Sequence, residues 1–254
     1  MQWTAIILAG QRPGVDPLAA HFGESYKALV RLNGEPMLAH VVRTMEICPQ
    51  ISRIIILAQE PEQLSRSFKS DQVEYHASGA GISASLLTLM EQGNLPLPWL
   101  VTTADHPLLD RGMVAEFLDN VAGDLAVGMV ERAIMLKQFP DAQRTWLKFS
   151  DGAWSGANLF AFTGQRVGGA LKLWANAEKD RKQVLRLFWH FGPWLALRAI
   201  TRTIGLAKAF EIAGNRLGLD ARLVPLSDPV AAIDVDKLSD HALAQQIMLQ
   251  RKGL

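Results

Sequence analysis

A glycine directly after a short apolar run, with cations following, is a pattern that can grip phosphate. Here Leu8-Ala9-Gly10-Gln11-Arg12-Pro13-Gly14 follows the apolar run at 4–8, and Lys27 comes next in Tyr26-Lys27-Ala28-Leu29. A glycine at such a point lets the backbone turn tightly and lie close to a ligand, so that several N–H groups converge on phosphate oxygens. Arg12 adds a planar, multi-donor cation suited to phosphate, and Lys27 a second positive charge. The spacing is neither GxGxxG nor GxxxxGK[ST], which sets aside the common dinucleotide and P-loop readings. Taken alone, the loop is equally a glycine turn carrying two solvated basic residues.

Carboxylates supply the complementary chemistry. Val101-Thr102-Thr103-Ala104-Asp105-His106-Pro107 puts Asp105 just past a strand-like run, at the edge where open α/β sheets bind ligands. A carboxylate there suits Mg²⁺, a hard ion that combines few protein carboxylates with substrate phosphates and water. The competing reading of Asp105 is a helix cap or turn. His106 is a poor magnesium ligand and reads as a structural, hydrogen-bonding residue. A second acidic cluster, Asp234-Val235-Asp236 with Asp240 further on, follows another apolar run. Asp240 suits the first turn of a helix. Ser78-Gly79-Ala80-Gly81-Ile82-Ser83 is a small-residue loop entering a helix, whose free N–H groups can hold a phosphate or base edge. A plain loop capped by Ser78 or Ser83 fits the same residues.

Positioning these groups needs a scaffold. Strand-length apolar runs at 4–8, 53–58, 73–76 and 99–103 alternate with helical periodicity at 36–47, 61–68, 82–91 and 111–121. Continuous rather than alternating apolar runs predict a mostly parallel sheet buried under helices on both faces. Further strands are expected at 124–130, 158–162, 221–225 and 231–235, with a loop at 151–156 and a closing helix at 239–249. Residues 165–219 read as mainly helical, broken at Gly192-Pro193. No repeat or linker is visible, so residues 1–254 are read as one domain with 165–219 as a helical elaboration.

Bulk properties remove several classes. With 254 residues, 49% hydrophobic and 20% charged, the composition is that of an ordinary globular protein. A formal net charge of +1 gives no field selecting nucleic acid or an anionic membrane. The single cysteine, Cys48, excludes an intrachain disulfide framework. The N-terminus lacks a secretory signal pattern and no apolar run is long enough to span a bilayer, so a cytoplasmic location is the default. Basic and aromatic residues at 186–216, with Phe188, Trp189, Phe191 and Trp194 at the start, allow peripheral membrane contact. Packing onto the sheet or a subunit of a homo-oligomer is the preferred reading of that stripe.

Taken together, Ile7-Leu8-Ala9-Gly10, Arg12, Gly14, Asp16-Pro17-Leu18-Ala19, Lys27-Ala28-Leu29 and Leu32-Asn33-Gly34-Glu35-Pro36-Met37-Leu38 resemble the opening of a nucleotidyltransferase superfamily. The nearest branch is the molybdenum-cofactor guanylyltransferase-like (MobA-like NTP transferase) group. The resemblance implies a Rossmann-like three-layer α/β/α sandwich of the glycosyltransferase-A type. It covers about the first 110 residues well and 231–240 adequately. It assigns the base and triphosphate loop to Leu8, Ala9 and Gly10, and phosphate neutralisation to Arg12 and Lys27. Many relatives carry a second glycine where this chain has Gln11. Asp105 matches the family's metal-binding aspartate. Asp234 matches the residue that completes the metal site, with Asp236 as its alternative. Gly81 and Ser83 are similar to a run near the base and ribose, and Asn158 to an acceptor-side asparagine. Arg144 and Lys148 are candidates for an anionic acceptor, although exposed basic residues usually only solvate.

The implied activity is Mg²⁺-dependent transfer of a nucleoside monophosphate, from CTP or GTP, to a small phosphorylated or hydroxyl acceptor with release of pyrophosphate. The alternatives are a sugar- or alditol-phosphate nucleotidyltransferase on the same scaffold, or a nucleotide-binding regulatory protein without turnover.

Overall fold

A computed structural model describes residues 1–11, 14–79, 81–178 and 192–251. Its centre is β1 (Trp3–Leu8), paired in parallel with β4 (Ile51–Ala58) on one side and β6 (Trp99–Thr103) on the other. Both faces of β1 are therefore covered, which is why it carries no alternation of polar and apolar residues. Ala5 and Ile7 enter one core with α2 (Met37–Glu46) and α5 (Arg111–Asp119). Ile6 points the other way, into a core with α4 (Ile82–Gln92) and α7 (Val167–Glu178). These three layers are the expected α/β/α sandwich.

The main sheet has eight strands, in the order β10-β7-β9-β6-β1-β4-β5, with β8 added on β9. Here β5 is Val73–Ala77, β7 Leu125–Glu131, β8 Leu147–Phe149, β9 Gly152–Phe162 and β10 Ala221–Pro225. All main-path pairings are parallel except those of β9, which runs antiparallel to β6 and β7. Strand order changes direction at β1, with β4 and β5 laid down on one side and β6 on the other. Ligands bind at such a switch point, beyond the carboxyl ends of the strands.

Short elements decorate that edge. Asp16 caps α1 (Pro17–His21), accepting from Leu18 N–H at 2.9 Å and Ala19 N–H at 3.0 Å. Lys27–Leu29 is a single 3₁₀ turn, followed by the hairpin β2 (Arg31–Leu32) and β3 (Glu35–Pro36). Its turn, Asn33-Gly34, has positive φ at both residues, as a tight hairpin of this hand requires. The remaining helices are α3 (Pro61–Ser67), α6 (Arg132–Gln138), α8 (Pro193–Ile200), α9 (Leu206–Arg216) and α10 (Leu238–Arg251). None of the described helices is long and apolar enough to cross a membrane.

Two expectations are corrected. Residues 152–156 are not a loop but the first half of β9, pairing Ser155 with Val130 and Trp154 with both Glu131 and Leu147. Their glycines suggest a turn, yet two flanking strands supply the backbone partners that hold them extended. Residues 231–235 are not a strand. Pro229–Ala232 forms a 3₁₀ turn, capped by Asp228 accepting from Val230 N–H at 2.8 Å. The apolar run there is buried by packing against β7 and β9 rather than by joining the sheet. Of the basic and aromatic stretch at 186–216, residues 186–191, including Phe188, Trp189 and Phe191, lie outside the described residues.

Candidate functional site

The glycine loop leaves β1 beside the end of β4. Ala9 N–H donates to Leu57 O at 2.8 Å, prolonging the β1–β4 ladder by one step. At Gly10 a Cβ would lie 2.9 Å from Gln59 Nε2, so with any other residue type there the end of the Gln59 side chain would have to shift. Gln59 then holds the loop from both sides. Its Oε1 accepts from Gln11 N–H at 3.1 Å, and its Nε2 donates to Gln11 O at 2.9 Å. The Gln11 side chain reaches onward, donating to Ser25 O at 3.0 Å and accepting from Lys27 N–H at 3.4 Å. The residue that departs from the family's glycine is thus the link between the loop and the lysine. Arg12 lies outside the described residues.

Lys27 is anchored by acid on two sides. Its Nζ donates to Asp105 Oδ2 at 2.7 Å and also to Asp236 Oδ1. Burial acts to lower the lysine's pKa, but the charges and hydrogen bonds of Asp105 and Asp236 outweigh it, so the net shift is upward and the ammonium persists. Asp105 sits where β6 ends, and its backbone carbonyl accepts from Val235 N–H at 2.9 Å. That one bond ties the two acidic segments together. The other carboxylate oxygen, Asp105 Oδ1, is buried and has no hydrogen-bond partner. His106 is 1% exposed; burial pushes its imidazole down to about 4, leaving it neutral, in keeping with a structural residue.

Asp234 is the second acidic pole. It accepts from Arg144 Nη1 at 2.6 Å and from Asn158 Nδ2 at 3.2 Å. Its pKa is raised, first by burial and then by the negative fields of Asp236 and Asp105, against the lowering influence of Arg144 and Asn158. Three carboxylates therefore crowd one place. Arg144 is not the exposed basic residue its surroundings in the sequence suggest. Its side chain is 7% exposed and also approaches Asp240 Oδ1 at 3.6 Å. Asp240, buried in the first turn of α10, accepts from Asp236 N–H at 3.2 Å and so holds the acidic segment in place.

Asn158 reaches Asp234 through a defect in the sheet. Between the pairs Val127–Phe160 and Met129–Gly156 the register shifts, leaving three residues of β9 against one of β7. Asn158 lies in this bulge with φ of 50°, a left-handed conformation that asparagine tolerates better than most residues. The bulge turns its amide to the carboxylate.

Gly81 and Ser83 lie at the start of α4, after β5. Gly81 is the N-cap, and no side chain caps the helix, so neither Ser78 nor Ser83 takes that role. Ser85 shapes the loop instead, accepting from Gly79 N–H at 2.8 Å and donating to Gly81 O at 2.7 Å. Ser83 Oγ is buried without a partner. Among the described residues no hydrogen bond or ion pair joins Gly81 or Ser83 to Lys27, Asp105 or Asp234. Gln59 is not among the residues the sequence singles out, although it directly follows a strand end. Arg144, a candidate there for an anionic acceptor, instead pairs with Asp234, a partner that no local signal marks.

With this geometry in place, comparison with known proteins gives a direct answer. The model of the MobA-like NTP transferase domain matches residues 5–202. The chain belongs to the MobA-like NTP transferase family. A molybdenum cofactor guanylyltransferase of Shewanella putrefaciens is 28% identical over 158 residues, covering 58% of this chain and 76% of that protein. The structure of a hypothetical transferase from Thermus thermophilus superposes with a TM-score of 0.80 at 26% identity, covering 95% of this chain and 100% of that one. A nucleotidyl transferase from Methanothermobacter shares the fold, with a TM-score of 0.58 at 15% identity over 98% and 99% of the two chains. As a MobA-like NTP transferase the chain is a nucleotidyltransferase with a mostly parallel, GT-A-like sheet. The matched stretch includes the glycine loop, Lys27, Asp105, Arg144 and Asn158; Asp234 and Asp236 lie beyond it.

Proposed function

We propose that this nucleotidyltransferase is Mg²⁺-dependent and transfers a nucleoside monophosphate from a nucleoside triphosphate to a small anionic or hydroxyl acceptor. The observation that carries the reading is the buried, unpartnered Asp105 Oδ1 beside Asp234, whose pKa is raised by its acidic neighbours. Like charges held together in a partly buried place fit a cation, and oxygen donors fit a hard one. Among the described residues no group of three or more His, Cys, Asp or Glu forms a ready-made cage. A site of few carboxylates completed by substrate phosphates is the usual arrangement for magnesium. Asp105 and Asp234 would hold the ion, with Asp236 released from Lys27 as the alternative to Asp234. When bound, the ion supplies charge neutralisation and polarises the phosphoryl oxygens.

The remaining chemistry falls to the protein. Backbone N–H groups of 8–10 cradle the nucleotide, with Gly81 and Ser83 at the base and ribose side. Lys27 turns its ammonium to the phosphates once its aspartates are otherwise neutralised, and Arg12 adds a second cation. Asn158, on the far side of Asp234, orients the acceptor. The acceptor oxygen attacks the α-phosphorus; an O–P bond forms, the bond to the bridging oxygen breaks, and pyrophosphate leaves with the electron pair. An acceptor phosphate is already a nucleophile near neutral pH, so alignment and charge neutralisation suffice. One sheet that takes strands from residues 3 to 225 supports reading 1–254 as a single domain.

The guanylyltransferase relatives make GTP the first nucleotide to test, with CTP next. Pyrophosphate release in a single turnover, with Mg²⁺ and each nucleotide in turn, tests the reading. Asp105→Asn should remove most of the release while leaving the fold intact. Near-normal release by that variant would refute the assignment, and nucleotide binding without any release would favour a regulatory protein.

A further inference from the structure

Away from the carboxylate centre, the structure has a cleft of about 380 Å³ lined by Arg132, Trp146, Lys148, Phe149 and Arg202, with the Gly152-Ala153 backbone. Its volume lies within the range of small-molecule sites. Three elements distant in sequence build it: the start of α6, the β8–β9 hairpin, and the turn after α8. The hairpin fixes the last of these. Asp151 accepts from Leu206 N–H at 2.9 Å, and Ser150 N–H donates to Ile204 O at 3.0 Å. Those bonds bring Arg202 to the cleft.

Among the described residues, neither Arg132, Lys148 nor Arg202 makes an ion pair, whereas more than half of the other described arginines and lysines do. Asp151 is taken by the α9 N-terminus, and the Glu131 carboxylate borders the cleft at Gly152, where a Cβ would be 3.2 Å from its Oε1, without pairing with any of the three cations. Arg132 Cζ lies over the Trp146 ring, 5.9 Å from its centroid, within cation–π reach. Arg202 adopts φ of 53°, at the helix-terminating position that glycine or asparagine normally takes. A long cation kept there costs conformational energy that its backbone role does not explain.

We infer that this cleft binds an organic anion with an apolar body, its phosphate or carboxylate group held by Lys148 and Arg202 and its body laid against Trp146 and Phe149. Among the described residues, those lining the cleft make no hydrogen bond or ion pair with Lys27, Asp105, Asp234 or Asp236, so the cleft is a different place from the carboxylate centre. The inference does not depend on the nucleotidyl-transfer reading, because no residue of the cleft belongs to the nucleotide site.

Calorimetric titration of the full chain with 1-naphthyl phosphate tests it. Saturable binding to one site is expected, weakened at least tenfold by Lys148→Glu and by Arg202→Asn, the second chosen because asparagine accepts the backbone conformation. Inorganic phosphate and 1-naphthol, each tested alone, should bind at least tenfold more weakly than the ester. Thermal stabilisation by GTP with Mg²⁺ should be the same in both variants as in the parent chain, which separates this site from the nucleotide site. Absence of saturable binding, binding by either variant as tight as by the parent chain, binding of 1-naphthol as tight as that of the ester, or displacement of the ester by GTP would each overturn the inference.

Discussion

Lys27 Nζ lies 2.7 Å from Asp105 Oδ2 and bonds Asp236 as well, so the cation proposed for phosphate rests on carboxylates that include a proposed metal ligand. Lys27 offsets only part of the negative charge gathered there, and binding of metal and nucleotide would exchange these partners. Lys27→Met therefore has opposite effects on two measurements. Mn²⁺ binding to the nucleotide-free protein, followed by electron paramagnetic resonance, should tighten severalfold because a competing cation is gone. Pyrophosphate release should fall by about 10²-fold or more, the usual cost of losing a charge that meets the transition state. A loss of both would mean that Lys27 only supports the fold.

Arg144 is buried against Asp234 and within 3.6 Å of Asp240. Removing it leaves acids without compensation in a place poorly reached by water. Arg144→Ala should cost about 3 kcal/mol of stability in urea unfolding, whereas Lys148→Ala, on an exposed side chain, should cost about 0.5 kcal/mol or less. Arg144→Lys should recover only part of the loss, since one ammonium cannot reach Asp234 and Asp240 together as Nη1 and Nη2 do.

Gly10 and Gln59 are coupled sterically. A methyl at position 10 would meet Gln59 Nε2 at 2.9 Å and Oε1 at 3.0 Å, forcing that side chain off Gln11. Gly10→Ala should weaken GTP binding, measured by thermal shift with Mg²⁺. Gln59→Ala in the same chain should make the alanine less harmful, giving a coupling of about 1 kcal/mol in a double-mutant cycle. Strictly additive effects would mean that the loop does not depend on Gln59.

Cys48 is 1% exposed, and burial pushes its thiol up to about 11, with Arg111 opposing and Asp110 reinforcing the rise. Raising an acid's pKa lowers the fraction ionised, so at pH 8 roughly one molecule in a thousand would carry the thiolate that reacts. The native protein should be inert to iodoacetamide under these conditions and be alkylated at the rate of unfolding in urea, as read by mass spectrometry. Rapid native labelling would contradict the burial.

The parts legible in the sequence share a physical cause. Continuous apolar runs announced β1, β4 and β6 because a strand between two helical layers has no polar face to show. Asp105 could be found because it directly follows one of those runs. Residues 152–156 escaped because glycine and tryptophan in a row say nothing about which strands will pair with them. The run at 231–235 read as a strand because burial by packing and burial by sheet pairing leave the same apolar signature. Arg144 was opaque for a similar reason. Its burial is decided by Asp234 and Asp240, far along the chain, and no local pattern records them. The grouping of Arg132, Lys148 and Arg202 is likewise a product of tertiary docking through Asp151 and Ser150.

The hydrogen bond from Val235 to the Asp105 carbonyl has a consequence for how the molecule is made. Gly10, Lys27 and Asp105 leave the ribosome long before Asp234, and β1, β4, β5 and β6 are adjacent in the sheet as well as in the chain. The phosphate half can thus assemble while the acidic segment is still unsynthesised. Closure of the carboxylate cluster waits for residues that come after β10, so a nascent or C-terminally shortened chain holds one pole of the centre without the other. In this fold the acidic cluster can form only once the residues that follow β10 have been made.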